Sequence, residues 1–146
     1  MEPITYYSTN NPDVRVNFET ALLSGMAPDY GLYMVSRQEL PRISHEKLMA
    51  MPFMYYPQIA FEVLFPFLGS EVPERILRSL LNDAYREDII PTDIQHVTGR
   101  THIMWLTKGP TYSFKDYAAR FFGRMLNYFL GVRRLRRVVV VATSGD

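Results

Sequence analysis

The chain has 146 residues, of which 47% are hydrophobic and 14% aromatic, and this composition supplies enough apolar material for a packed core. With 16 basic and 15 acidic residues its formal net charge is +1, so no overall field favours nucleic acid or an anionic membrane. The chain has no cysteine and its 3 histidines have no ligand spacing, so we expect no disulfide and no metal site. It has neither a signal-peptide pattern nor an apolar run that could span a bilayer, which predicts a soluble cytoplasmic protein.

Turn and cap residues divide the first 40 residues into short elements. Residues 4–8 and 31–35 have the composition of short strands. Between them, Asn17 is placed to cap a short helix that Gly25 would end.

Prolines mark the helices of the next segment. Pro57 suits the opening of a helix, and Pro66 should kink or end that helix. Pro73 opens a clearer helix, in which apolar residues recur on one face while charges of both signs fill the other. Such a helix faces a protein core more often than a membrane. Its apolar positions are Ile76, Leu77, Leu80, Leu81, Ala84 and Tyr85.

After Pro91 the pattern changes from helical to β. Residues 94–98 and 101–107 flank a Gly-Arg pair and predict a hairpin. A helix with a wide apolar stripe follows, which we expect to begin at Phe114 and to end near Gly131.

The continuous β-branched run Val138–Val141 is typical of a strand that is buried on both faces of a parallel sheet. The order of strand, helix and strand predicts a right-handed βαβ unit. We therefore predict an α/β fold, in which a mostly helical domain over residues 1–90 precedes the first part of a parallel-sheet domain over residues 91–146. Residues 109–111 and 143–146 would both follow the carboxyl ends of strands, where open α/β sheets bind ligands.

A lysine lies at the predicted start of the last helix. Ser113 and Asp116 have the spacing of a capping box, which places Lys115 in the first turn. Tyr112 and Tyr117 have the spacing of a hydrophobic staple and favour the same start. The helix dipole and the unpaired N–H groups there oppose an ammonium ion and favour the neutral amine, which is a nucleophile. The pattern alone leaves open whether Lys115 reacts with a carbonyl compound or simply points into water.

Three further groups have two interpretations each. The run of Arg133, Arg134, Arg136 and Arg137 could contact nucleic acid, but without interleaved aromatic residues it is more typical of a solvated loop. Lys108 could face a phosphorylated substrate or be a solvated loop residue. The hydroxyls and turn of Thr143–Asp146 suit an anion, although an ordinary strand-ending turn has the same composition.

Four separated segments carry a resemblance to a known family. They are Gly109-Pro110-Thr111 with Phe114-Lys115-Asp116, Ala142–Asp146, the front segment from Tyr7-Ser8-Thr9 to Gly31-Leu32-Tyr33, and Ala60–Leu64 with Pro66-Phe67. Taken in their order along the chain, they resemble threonine synthases, which are pyridoxal phosphate enzymes of the tryptophan-synthase-like group. The sequence departs from the family pattern at Tyr30, where glycine is common, at Trp105, where glutamate is common, and at Lys108, where histidine is common.

The resemblance implies that the chain is the amino-terminal fragment of a longer fold type II enzyme that depends on pyridoxal 5'-phosphate. The complete enzyme would be a carbon–oxygen lyase acting on phosphates, which converts O-phosphohomoserine and water to threonine and phosphate. Lys115 would hold the cofactor and serve as the catalytic residue, while Thr143, Ser144, Gly145 and Asp146 would bind the substrate. The fragment itself would be inactive.

Two alternatives remain open. A related enzyme of the same fold could catalyse a different elimination or replacement on another amino acid, as the departures at Trp105 and Lys108 suggest. The chain could also be a non-catalytic remnant that serves a binding or regulatory role.

Overall fold

The computed structural model of the protein describes residues 3–142. These residues belong to two compact units that divide between Arg78 and Ser79, inside a helix. The predicted domain boundary at residue 90 lies after this division, and it stays a prediction.

The first unit contains a small antiparallel sheet of three strands. They are β1 (Tyr6–Ser8), β2 (Arg15–Val16) and β3 (Tyr33–Val35), and β1 lies in the middle. Tyr6 pairs with Val16 on one side and with Val35 on the other. The two strands predicted from the sequence are thus present, each shorter than expected.

The first helix, α1 (Phe18–Ser24), confirms its predicted caps. The Asn17 side chain accepts a hydrogen bond from the Thr20 N–H at 3.1 Å, and Gly25 ends the helix with a φ of 76°. Glu71 accepts from the N–H groups of both Phe18 and Glu19, at 2.8 and 3.0 Å, so a carboxylate also meets the positive end of α1.

Three more α-helices follow, namely α2 (His45–Ala50), α3 (Tyr56–Leu68) and α4 (Glu74–Ala84), and a short 3-10 helix (Met51–Phe53) lies between α2 and α3. Pro57 lies in the first turn of α3 as predicted, and Pro66 lies inside the helix two residues before its end. Phe61 and Phe65 of α3 stack with ring centroids 4.9 Å apart. The predicted apolar face of α4 is confirmed, because Leu77, Leu81 and Ala84 are fully buried.

The second unit contains the predicted hairpin and a long helix. Strands β4 (Ile94–Thr98) and β5 (Thr101–Met104) pair antiparallel, with Gly99 at a φ of 55° in the turn. Helix α5 (Lys115–Arg133) has Met125 and Phe129 on its buried face. It runs two residues past Gly131, because the left-handed residue that ends it is Arg134, with a φ of 54°.

The end of α5 has the hydrogen bonds of a Schellman motif. The Leu135 N–H donates to the Leu130 carbonyl at 2.9 Å, and the Arg134 N–H donates to the Gly131 carbonyl at 3.1 Å. The predicted end at Gly131 is therefore two residues too early, because the left-handed residue of this motif is Arg134 and not the glycine.

The predicted parallel sheet is absent from residues 3–142, where both sheets are antiparallel. Val138–Val141 has no regular secondary structure, and its side chains are 65–90% exposed. The prediction that this run forms a buried strand of a βαβ unit is therefore corrected for the described residues. A strand forms only where a neighbouring strand pairs with its backbone N–H and C=O groups. No strand within residues 3–142 pairs with this run.

No helix within residues 3–142 is both long and apolar enough to cross a lipid bilayer.

Candidate functional site

Lys115 is the first residue of α5, and its side chain is exposed. The Ser113 hydroxyl accepts a hydrogen bond from the Lys115 N–H at 3.3 Å. The Asp116 N–H in turn donates to the Ser113 carbonyl at 3.1 Å. The helix start predicted from Ser113 is thus confirmed to within one residue, and Lys115 lies in the first turn.

Asp116 does not complete a capping box; it binds the loop upstream instead. It accepts from the Thr111 N–H at 2.9 Å and from the Thr111 hydroxyl at 2.8 Å, and only 7% of the residue is exposed. Gly109 lies against this carboxylate, because a Cβ there would be 2.5 Å from the Asp116 Oδ2. We call Gly109, Thr111 and Asp116 the loop clamp. It fastens the loop before α5 to the first turn of that helix.

The sequence did not reveal the loop clamp. A carboxylate three residues after a serine is the pattern of a capping box, and the pattern contains no sign of the competing partner Thr111. The presence of Gly109 was the available signal, because a glycine that faces a side chain excludes any larger residue.

Tyr117 holds the start of α5 against the rest of the second unit. Its hydroxyl donates to the Pro91 carbonyl at 2.7 Å and lies 3.4 Å from the Trp105 carbonyl. Its own carbonyl accepts from the Tyr85 hydroxyl at 3.0 Å, inside the core. The predicted staple partner Tyr112 is 80% exposed, so Tyr117 is fixed by these hydrogen bonds and by burial.

Two arginines of α5 bind the end of α4. Arg120 donates through Nε to the Ala84 carbonyl at 2.7 Å, which satisfies one of the last carbonyls of that helix. Arg124 donates to Asp83 at 2.5 Å. The hydrogen bond from Arg124, together with its positive charge and that of Arg120, holds the pKa of Asp83 below its ordinary value.

The other two lysines are in ion pairs. Lys47 lies 2.5 Å from the Glu62 carboxylate in the first unit. Lys108 pairs with Asp93, and both side chains are about half exposed. The Trp105 indole N–H donates to Gln95 at 3.1 Å. Trp105 and Lys108, which differ from the family pattern, thus both bind the segment around β4.

Two tyrosines have left-handed backbones. Tyr112, in the loop before α5, has a φ of 59°, and Tyr30 has a φ of 63°. Residues with a Cβ rarely adopt this region, and glycine adopts it freely. A glycine at position 30 would adopt this backbone without that strain.

The predicted substrate-binding residues Thr143, Ser144, Gly145 and Asp146 lie outside the described residues, and their role stays a prediction. Within residues 3–142 no three histidine, aspartate or glutamate side chains are grouped as metal ligands would be.

Comparison with known proteins gives consistent matches. The threonine synthase N terminus family matches residues 5–85. The chain is 33% identical over 145 residues to threonine synthase of Pseudomonas aeruginosa, and 37% identical over 145 residues to threonine synthase-like 2 of Rattus norvegicus. These alignments include 97% of this chain, which spans only 29–30% of the length of the curated relatives it matches.

Solved structures agree with these matches. The chain is similar to threonine synthase from Brucella melitensis with bound PLP, with a TM-score of 0.80 and 32% identity. That match covers 90% of this chain and 28% of the other. Threonine synthase from Escherichia coli matches with a TM-score of 0.78 and 26% identity, over 88% of this chain and 29% of the other. The chain therefore belongs to the threonine synthase family and corresponds to its amino-terminal part.

Proposed function

We propose that the full-length protein is a threonine synthase that depends on pyridoxal 5'-phosphate and converts O-phosphohomoserine and water to threonine and phosphate. The observation that supports this most is the exposed Lys115 at the start of α5, directly after a loop that is fastened in place. Family membership supports the same reaction class, and a relative of similar structure binds PLP.

The residues around Lys115 suit the covalent part of a cofactor site. A lysine amine can condense with an aldehyde when it is accessible and is held in a fixed direction. Lys115 is exposed, and its backbone is fixed on both sides by the bonds of Ser113 and Asp116. The bound cofactor supplies an electron sink for the carbanion chemistry, which no side chain of this protein provides.

Lys115 has two tasks in this proposal. It would hold the cofactor through its ε-amine, and the same amine, when free, would move protons between the carbons of the substrate. The other two lysines are less suited by position, because Lys47 lies in α2 of the first unit and Lys108 precedes the loop clamp instead of entering α5. Thr143–Asp146 is proposed to orient the amino-acid end of the substrate, as its hydroxyls and turn composition suggest.

A second candidate is an elimination or replacement on another amino acid by the same kind of site. The observation that favours it is the pair of departures at Trp105 and Lys108, in the strand and loop that lead to the clamp. The relatives named threonine synthase-like 2 share 33–37% identity with the chain over the same region as the threonine synthases.

The test is turnover by the purified full-length protein with cofactor added. We expect threonine and phosphate in equal amounts from O-phosphohomoserine, and little product from O-phosphoserine or serine. Turnover of O-phosphoserine or serine in preference would favour the second candidate. The absence of turnover with all three, together with absent cofactor binding, would favour a non-catalytic remnant.

A matched pair of lysine variants tests the assignment of Lys115. Lys115→Ala should abolish the absorbance of the lysine-bound cofactor and the turnover, while the fold is kept because alanine is a good helix former. Lys108→Ala should keep that absorbance. After borohydride reduction, peptide mapping should find the pyridoxyl label on Lys115; a label on Lys47 or Lys108 would overturn the assignment.

A further inference from the structure

We propose that the loop clamp of Gly109, Thr111 and Asp116 positions Lys115, and that Asp116 is a positioning residue with no chemical step of its own. This inference rests on the proposed function of Lys115. It concerns which residues fix the backbone that carries the Lys115 amine.

Both carboxylate oxygens of Asp116 take part in the clamp. Its Oδ1 accepts from the Thr111 hydroxyl at 2.8 Å and its Oδ2 accepts from the Thr111 N–H at 2.9 Å. Since the residue is only 7% exposed, neither oxygen is presented to a substrate. The carboxylate next to Lys115 therefore acts on the loop, and any effect on catalysis passes through the backbone that the two residues share.

The clamp closes a loop of four residues, 112–115, whose last member is Lys115. Inside it, the Tyr112 N–H donates to the Gly109 carbonyl at 3.1 Å, and the Ser113 hydroxyl accepts from the Lys115 N–H. Tyr112 keeps a left-handed backbone, which is costly for a tyrosine and persists only where the surroundings enforce it. With both ends and the middle fixed, the Cα–Cβ bond of Lys115 leaves the first turn of α5 in one direction.

Gly109 gives independent support. A Cβ at this position would be 2.5 Å from the Asp116 Oδ2 and 2.9 Å from the Asp116 Cβ. The second contact is with the base of the side chain, so a change of side-chain rotamer does not relieve it. An alanine here must displace the carboxylate or the loop, which opens the clamp without changing any charge.

The experiment uses the full-length protein with three clamp-related variants and one control. Thr111→Val removes the hydroxyl and keeps the shape, Thr111→Ser keeps both hydrogen bonds, and Gly109→Ala displaces the carboxylate. Gly123→Ala, in the exposed part of α5 where a Cβ meets nothing within 4 Å, is the control.

We expect kcat of Thr111→Val and Gly109→Ala to fall by about 10-fold to 100-fold, because misplacing a reacting group by about 1 Å has that effect. KM should change little, and Thr111→Ser should restore wild-type kcat. The yield of pyridoxyl label on Lys115 at limiting cofactor should fall in parallel with kcat. Hydrogen exchange at the amide of residue 111 should be faster in Gly109→Ala than in the wild type.

The proposal is overturned if Thr111→Val and Gly109→Ala keep wild-type kcat and labelling, or if Thr111→Ser loses as much as Thr111→Val. These outcomes leave the proposed function standing, since the wild type would still label Lys115 and turn over. A wild type that neither labels Lys115 nor forms product overturns both proposals.

Discussion

Replacing Tyr30 by glycine should stabilise the protein, although it deletes an aromatic side chain. Tyr30 has a φ of 63° and is 83% exposed, so its ring contributes little burial while its Cβ carries the cost of a left-handed backbone. That cost is about 1–2 kcal/mol for a residue with a Cβ. Glycine itself lowers the free energy of unfolding by about 0.5–1 kcal/mol, because it loses more conformational entropy on folding.

The difference predicts a gain of about 0.5–1 kcal/mol in the free energy of unfolding. The hydrogen bond from the Tyr30 N–H to the Ala27 carbonyl, at 2.9 Å, is independent of the side chain and should be kept. Urea denaturation of the purified 146-residue chain, in a background of Val139→Lys and Val140→Lys that limits aggregation through the exposed valines, measures the effect when it is followed by circular dichroism. With an m-value of about 1.5 kcal/mol/M, the midpoint should rise by about 0.5 M.

Two control variants separate the backbone effect from the loss of the ring. Tyr30→Ala keeps the Cβ and should gain nothing. Tyr55→Ala removes a tyrosine that is 82% exposed but has a φ of −71°, and it should leave the midpoint nearly unchanged. If Tyr30→Gly did not raise the urea midpoint above those of the wild type and both control variants, the strain argument would be refuted.

Three further predictions concern other parts of the chain. Gly31→Ala should destabilise the chain by about 2–3 kcal/mol, because its Cβ would be 2.0 Å from the Oγ of the buried Ser8. Gly123→Ala, where a Cβ meets nothing within 4 Å, should instead stabilise α5 by about 0.5–1 kcal/mol, so the two variants should shift the urea midpoint in opposite directions. Hydrogen bonds from the Ser8 hydroxyl and from the Gly31 N–H hold the pKa of Asp29 below its ordinary value, so the stability that they contribute is present above the ordinary carboxyl pKa and is lost as the pH falls through the lowered pKa. Asp29→Asn should therefore be less stable than the wild type at neutral pH and approach it in acid. A difference in stability that stays constant across pH would contradict this. The isolated 146-residue chain should bind pyridoxal phosphate poorly, show no turnover and aggregate through the exposed Val138–Val141 run. Light scattering should fall when Val139 and Val140 are replaced by lysine. A 146-residue chain that is monomeric and active would refute the prediction.

The sequence determined the features that depend on short-range physics. Asn17 and Gly25 were identified as caps because each acts on its own helix, within four residues. The hairpin of β4 and β5 was predicted from two β-prone segments around a turn, which form a local unit. The start of α5 beside Lys115 followed from Ser113, whose hydroxyl bonds to a neighbouring backbone N–H.

Tertiary structure decided the features that depend on a choice between partners. Asp116 had a plausible local partner but binds Thr111, because burial against Gly109 makes that geometry available. Tyr117 was expected to pack on Tyr112, yet its hydroxyl and carbonyl bind residues 26 and 32 positions away along the chain. A sequence pattern gives the candidate groups, whereas their pairing depends on which groups the folded chain brings within hydrogen-bond distance.

The valine run shows the same limit most clearly. Val138–Val141 has the composition of a buried strand, but its side chains are exposed and no strand of residues 3–142 pairs with it. Composition sets how well a segment fits a sheet, and the hydrogen bonds that make it a strand belong to its neighbours. The sequence thus determined the family and the position of the candidate lysine. The tertiary structure decided which side chains fasten the loop before that lysine, because a carboxylate binds whichever donors the folded chain brings within reach.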